Sequence, residues 1–193
     1  QLAGPDVEQL NRGRGVTVPA VDDRAGGSLA TNHLLHLGHT EIAFLGEPPR
    51  NPFGFVASAN REAGYRQAMA RAGVEVNNSR VRYGAFLHSA ARTMAVDLLN
   101  AQDPPTAIVA ASDVQAFGVL DAAEQLGMRV PDDVSVIGYD DIDLATQMGL
   151  STVRQPLVRS GERGAELVVQ AVAMGHAHPI VEQLEVELVV RRT

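Results

Sequence analysis

Short β-branched runs alternate with helix-spaced apolar residues along this chain, and the alternation predicts βαβ units built around a parallel sheet. Residues 16–21 read as a strand. Behind them Leu29, Ala30, His33, Leu34 and Leu37 share one helical face, and Gly38 supplies a left-handed stop. A second unit runs from a strand at 42–45, through a loop holding Pro48, Pro49 and Pro52, to a helix bearing Tyr65, Ala68, Met69 and Ala72 that Gly73 closes. A third pairs a strand at 81–83 with a helix that Ser89 could cap, where Ala91, Met94, Ala95, Leu98 and Leu99 recur at helical spacing. The fourth joins a strand at 107–110 to a helix capped by Asp113, with Ala116, Leu120 and Ala123 inward and Gly127 at its end. A fifth strand, 134–137, follows Pro131. Beyond it the repeat breaks into an extended piece at 150–153, a longer helix at 157–174 with Gly161 and Gly164, and a closing strand at 184–190.

Open parallel sheets bind ligands outside the carboxyl ends of their strands. The residues at those ends are Asp22 and Asp23, Glu47 and Arg50, Phe86 after Gly84, Ser112 and Asp113, then Tyr139, Asp140 and Asp141. Successive strands thus deliver a carboxylate, hydroxyl, guanidinium or ring to one rim, a polar cleft suited to a small hydroxylated molecule. Two readings stand open for part of it, because Asp23 and Asp113 could simply cap the helices that follow. No clear helix pattern starts directly after Asp140, so the Asp140–Asp141 pair calls for another partner, and a ligand supplies one.

With 193 residues and 45% hydrophobic content the chain can bury one full core and part of a second. No apolar run reaches the roughly 18 residues a membrane helix needs, and the start lacks a signal-peptide pattern. There is no cysteine, which removes disulfides, thiolate metal sites and cysteine nucleophiles and fits a cytoplasmic location. All 16 basic residues are arginine, so neither a Schiff base nor the lysine of a phosphate-cradling loop is available. The net charge of −7 argues against a nucleic-acid surface on these residues, and any DNA contact falls to another segment.

Enzyme chemistry finds no foothold. There is no Gly-x-Ser-x-Gly elbow, no His-Glu-x-x-His and no dinucleotide fingerprint after a strand. Asp140, Asp141 and Asp143 are too close in sequence to face each other across a sugar. His33 and His36 could share a helix face, but His39 lies past the Gly38 stop, which speaks against a metal site, and no cofactor is expected. His176 and His178 flank an exposed turn.

Several segments together resemble the LacI/GalR repressor family: VDDRAGG at 21–27, LGHTEIAFLG at 37–46, NREAGYRQAM at 60–69, PPTAIVAASDVQAFG at 104–118, RVPDDVSVIGYDD at 129–141, LSTVRQP at 150–156 and LVVRRT at 188–193. The resemblance implies an α/β fold, a doubly wound parallel sheet in a two-lobed periplasmic-binding-protein-like core whose amino-terminal lobe is incomplete here. It places the end of that lobe at 1–22, the carboxy-terminal lobe at 23–149, a crossover with an amino-terminal-lobe helix at 150–182, and the closing strand of the carboxy-terminal lobe at 183–193. The function implied is the ligand-sensing core of a DNA-binding repressor, reading a small polar effector, a sugar or sugar derivative ahead of a nucleobase or nucleoside. Operator DNA would be bound only through a headpiece outside this sequence. The alternative is a periplasmic solute-binding protein of a sugar transporter, which shares the fold.

The same resemblance carries site roles over residue by residue. Arg61, in Arg-x-x-Gly-Tyr, matches the arginine that forks onto effector oxygens, although an arginine on a helix is by default solvated. Asp140 matches the cleft aspartate, and Phe86 falls where an aromatic ring meets the effector, or else belongs to the core. Ser112 and Asp113 stand where relatives carry Asn-Asp, so the bidentate amide contact is lost. Arg50 and Asp22 complete the candidate set, and Gly149 replaces a common proline. A homodimer is implied, with the helix at 114–125 and the segments near Phe86 and Asp141 at its interface. Val114, Phe117 and Leu120 cannot all face one core, which fits that arrangement.

Overall fold

Backbone pairing sorts the strands into two sheets. The computed structural model describes residues 18–50, 54–174 and 181–193. In chain order the elements are β1 (Val18–Val21), α1 (Asp23–His36), β2 (Ile42–Gly46), α2 (Ala57–Arg71), β3 (Val81–Tyr83), α3 (His88–Leu99), β4 (Ala107–Ala110) and α4 (Asp113–Gln125). They continue as β5 (Ser135–Asp140), α5 (Asp143–Met148), β6 (Ser151–Arg154), α6 (Leu157–Met174), β7 (Val181–Leu184) and β8 (Glu187–Val189). The larger sheet has the order β3-β2-β4-β5-β6-β8, parallel except where β8 runs antiparallel to β6. A two-stranded parallel sheet joins β1 to β7.

The strands of the larger sheet read as near-continuous apolar runs because both faces are covered. On β4, Ile108 and Ala110 face a cluster with Ala91, Ala95, Leu98, Ala116, Phe117 and Val119 of α3 and α4. Ala107 and Val109 face the other, with Ala30 and Leu34 of α1 and Tyr65 and Met69 of α2. The winding reverses between β2 and β4, and that reversal opens a crevice at their carboxyl ends.

Five local expectations are corrected by packing. The inward face of α1 is Gly26, Gly27, Ala30, Thr31 and Leu34, and Leu37 lies exposed. The helix has turned because α1 and α2 cross at glycine contacts: a Cβ on Gly27 would strike the Arg61 backbone, and one on Gly64 the Arg24 backbone. Asp22, not Asp23, caps α1 by accepting from the Ala25 N–H at 2.8 Å. Ser112, not Asp113, caps α4 by accepting from the Gln115 N–H at 3.2 Å. Ser89 lies inside α3, which starts after Leu87 without a side-chain cap. The strand expected at 184–190 is two strands, since β7 follows β1 and β8 follows β6, and no straight segment can serve both sheets.

Among the described residues three connections pass between the sheets: Asp22 from β1 to α1, Gln155 and Pro156 from β6 to α6, and the stretch from β7 to β8. The Asp22 N–H donates to the Leu184 carbonyl at 3.4 Å, tying two of them together. The last residues fold back on the larger sheet, where the Thr193 hydroxyl donates to the Val136 carbonyl at 2.7 Å and accepts from the Ser151 N–H at 2.8 Å. Helix α6 packs beside β1 and buries none of its residues, leaving Val168, Val169 and Val172 exposed.

Candidate functional site

Arg61 sits one turn into α2, on the face that also buries Ser58, Glu62, Tyr65 and Met69. The helix is pinned to the sheet by Tyr65, whose hydroxyl donates to the Ile42 carbonyl at 2.9 Å. That anchor leaves Arg61 only 8% exposed over the crevice. Its Nε donates to Asp23 Oδ1 at 2.8 Å, and its Nη1 donates to the Ala111 carbonyl at 2.6 Å and lies 3.6 Å from Asp140 Oδ1. The guanidinium carbon stands 3.6 Å from the centroid of the Tyr139 ring, a cation–π contact.

The turn after β5 is strained. Asp140 and Asp141 adopt φ of 119° and 58°, a region that residues with a Cβ rarely visit and that costs on the order of 1–3 kcal/mol each. Gln155 holds Asp140 from the crossover, its Nε2 donating to Oδ1 at 2.5 Å. Asp141 turns the other way, onto Arg154 at 2.7 Å and Arg191 at 2.6 Å. Burial pushes its carboxyl up, but hydrogen bonds from those arginines outweigh burial and hold it below the ordinary range.

Burial raises the Asp23 and Asp140 carboxyls, with Arg61 opposing in both cases. Burial and the neighbouring Asp23 carboxylate push the Tyr139 phenol upward as well. The result is one guanidinium between two partly desolvated carboxylates over an aromatic ring, an acceptor-rich surface for the hydroxyls of a small molecule. Beside it a groove of about 660 Å³ is lined by Asp140, Asp143, Gln155 and Val158 among others. Among the described residues no cluster of three or more His, Asp or Glu side chains is placed to hold a metal ion.

The fold has counterparts among known proteins. Residues 31–193 match the family described as Periplasmic binding protein-like domain. A LacI transcriptional regulator from a Rhodococcus species superposes with a TM-score of 0.81 at 30% identity, covering 97% of this chain and 74% of the other. The chain belongs to the LacI family. Its LacI-family relatives include an HTH-type transcriptional repressor PurR from Vibrio campbellii, 37% identical over 170 residues, which are 87% of this chain and 50% of the relative. The chain thus spans about half the length of the curated relatives it matches. A transcriptional regulator CelR–cellobiose complex superposes with a TM-score of 0.84 at 32% identity, covering 93% of this chain and 54% of the other.

Within this LacI-family core the candidate residues divide. Arg61 and Asp140 converge, and Asp22 stands at the crossover next to Asp23. Asp113 is fully buried, accepting from the Thr152 hydroxyl at 2.6 Å and the Ile142 N–H at 2.9 Å, so it braces the turn behind Asp140. Ser112 is spent on its cap. Phe86 is 47% exposed in the loop after β3, and among the described residues no ring contact joins it to the Arg61 cluster. Arg50 is exposed after β2. Val114 and Leu120 are half-buried, whereas Phe117 faces the core.

The site roles implied by the family resemblance did not include Tyr139, Asp23 or Gln155, although the first two already stood on the polar rim. Tyr139 was visible in Gly-Tyr-Asp-Asp as a polar rim residue, and Asp23 was visible as a cap. Gln155 carried no signal, because its contact with Asp140 exists only once β6 lies beside β5.

Proposed function

We propose that this chain is the effector-sensing core of a DNA-binding transcriptional repressor, and that the effector is a small polar molecule, a sugar or sugar derivative. One observation carries the reading: Arg61, Asp23 and Asp140 meet at the switch point of the sheet, and Gln155 links that cluster directly to a crossover between the two sheets. An effector that competes for Asp140 acts on the connection that governs how the lobes sit.

Binding shifts such an equilibrium only by its differential affinity for the two lobe arrangements. In the complete protein, lobes 1–22 with 150–182 and 23–149 with 183–193 would close around the effector. Phe86 would come against it, and Asp22, Ser112, Asp113 and Arg50 would line or brace the rim. Paired headpieces on a homodimer would then read two operator half-sites. The dimer surface would lie along α4 and the segments near Phe86 and Asp141. No catalytic step and no cofactor belong to this scheme. Relatives named as repressors support it over a transporter component, and the cellobiose complex of CelR supports a sugar.

Calorimetric titration of the full-length protein and its Arg61→Ala variant with neutral mono- and disaccharides, cellobiose among them, tests the site. The expected outcome is a sugar bound by the unaltered protein and weakened about 100-fold or more by the substitution, as for loss of a charged hydrogen-bonding partner. Unchanged affinity removes Arg61 from the site.

A further inference from the structure

Arg61 is not a free anion fork. Asp23 takes its Nε at 2.8 Å, the Ala111 carbonyl takes its Nη1 at 2.6 Å, Asp140 lies 3.6 Å away, and the Tyr139 ring covers one face. Two carboxylates answer one guanidinium, so the cluster carries one excess negative charge. The surroundings do not cancel it. Asp22 adds to the negative side, and Asp113 lies behind the turn with both oxygens engaged by neutral donors. The nearby arginines Arg154 and Arg191 are held by Asp141, and Arg66 is held by Glu62, while Arg24, Arg50 and Arg159 stand exposed, where solvent screens their charge.

We infer that Asp23 is a charge filter: by occupying Arg61 it makes the crevice select uncharged, hydroxyl-rich effectors and reject carboxylates and phosphate esters. The inference rests on the sensor reading of this site and narrows its ligand class. An anionic guest would add like charge beside carboxylates with little water around them, where Coulomb repulsion is weakly screened. To reach Arg61 it must also displace Asp23, which leaves that partly buried carboxylate without its partner. A neutral polyol meets neither cost, since its hydroxyls donate to carboxylate oxygens already in place.

The test titrates the full-length protein and its Asp23→Asn variant with glucose against glucose 6-phosphate, cellobiose against cellobionate, and inorganic phosphate alone. The unaltered protein is expected to ignore phosphate and to bind whichever neutral sugar it accepts at least about tenfold more tightly than the charged counterpart. Asp23→Asn is expected to gain phosphate binding and narrow that gap. Phosphate or a sugar phosphate bound by the unaltered protein as tightly as the neutral sugar overturns the filter, as does an Asp23→Asn protein that still ignores phosphate. If Asp23→Asn melts before it can be titrated, discrimination by the unaltered protein decides alone. The sensor reading fails by a separate result: neutral-sugar binding that survives Arg61→Ala puts the effector elsewhere and takes the filter with it.

Discussion

Asp113 has no contact with solvent, and burial raises its carboxyl from 3.8 to about 6 against the hydrogen bonds from Thr152 and Ile142. In the unfolded chain the group titrates near its ordinary value. Between about pH 4 and 6 the folded state therefore keeps a proton that the unfolded state has released. The stability this provides is fully present below about pH 4 and is lost as pH rises through about 6. An asparagine there cannot titrate, and its amide offers one carbonyl oxygen and one donor group, as the protonated acid does. Asp113→Asn is expected to match the unaltered protein within about 1 kcal/mol near pH 4, and the unaltered protein to lose stability relative to it as pH rises through about 6. Urea melts across that range check it, and an unaltered protein that gains on the variant with rising pH contradicts the raised carboxyl. The Asp-Asp pair was conspicuous in the sequence, but the division of labour was not. Asp140 and Asp141 are neighbours with opposite partners because two consecutive positive φ angles throw their side chains apart.

At the scale of elements, the crossing of α1 and α2 depends on backbone approach. A methyl group on Gly64 would meet the Arg24 carbonyl, part of rigid helical backbone that cannot swing aside. Gly64→Ala is expected to destabilise by about 1–3 kcal/mol as an overpacked contact, and to loosen Arg61 on the same helix. Gly161 in α6 gives the opposite expectation, since nothing lies within 4 Å of an added Cβ. Gly161→Ala should be neutral or stabilising by up to about 1 kcal/mol, through better helix propensity alone. Thermal melts of the two variants separate a glycine required by packing from one that is not. Both glycines looked alike in the sequence, each interrupting a helical pattern. The helices themselves were legible, and the 157–174 helix was read with the bounds it adopts. The caps of α1 and α4 missed by one residue, since neighbouring Asp-Asp and Ser-Asp pairs offer two oxygens for one orphan N–H.

For the whole molecule, the two sheets differ in how much they bury. Strands β2, β4 and β5 are sealed on both faces, whereas among the described residues α6 has no buried side chain and leaves Val172 79% exposed. Hydrogen exchange on the 193-residue chain is accordingly expected to be slowest in β4 and β5 and much faster in α6 and β7, because local opening there exposes little new apolar surface. Equal protection in α6 and β4 would refute that ranking. The amino-acid order alone determined the βαβ alternation, the both-faces-buried strands and the rim of polar residues, since each follows from periodicity and from chain ends that local chemistry marks. Only the tertiary structure decided that 184–190 splits between two sheets, that Asp113 turns inward while Asp23 takes Arg61, and that Gln155 reaches Asp140. Each of those rests on contacts between residues remote along the chain, whose geometry exists only after the strands have found their order.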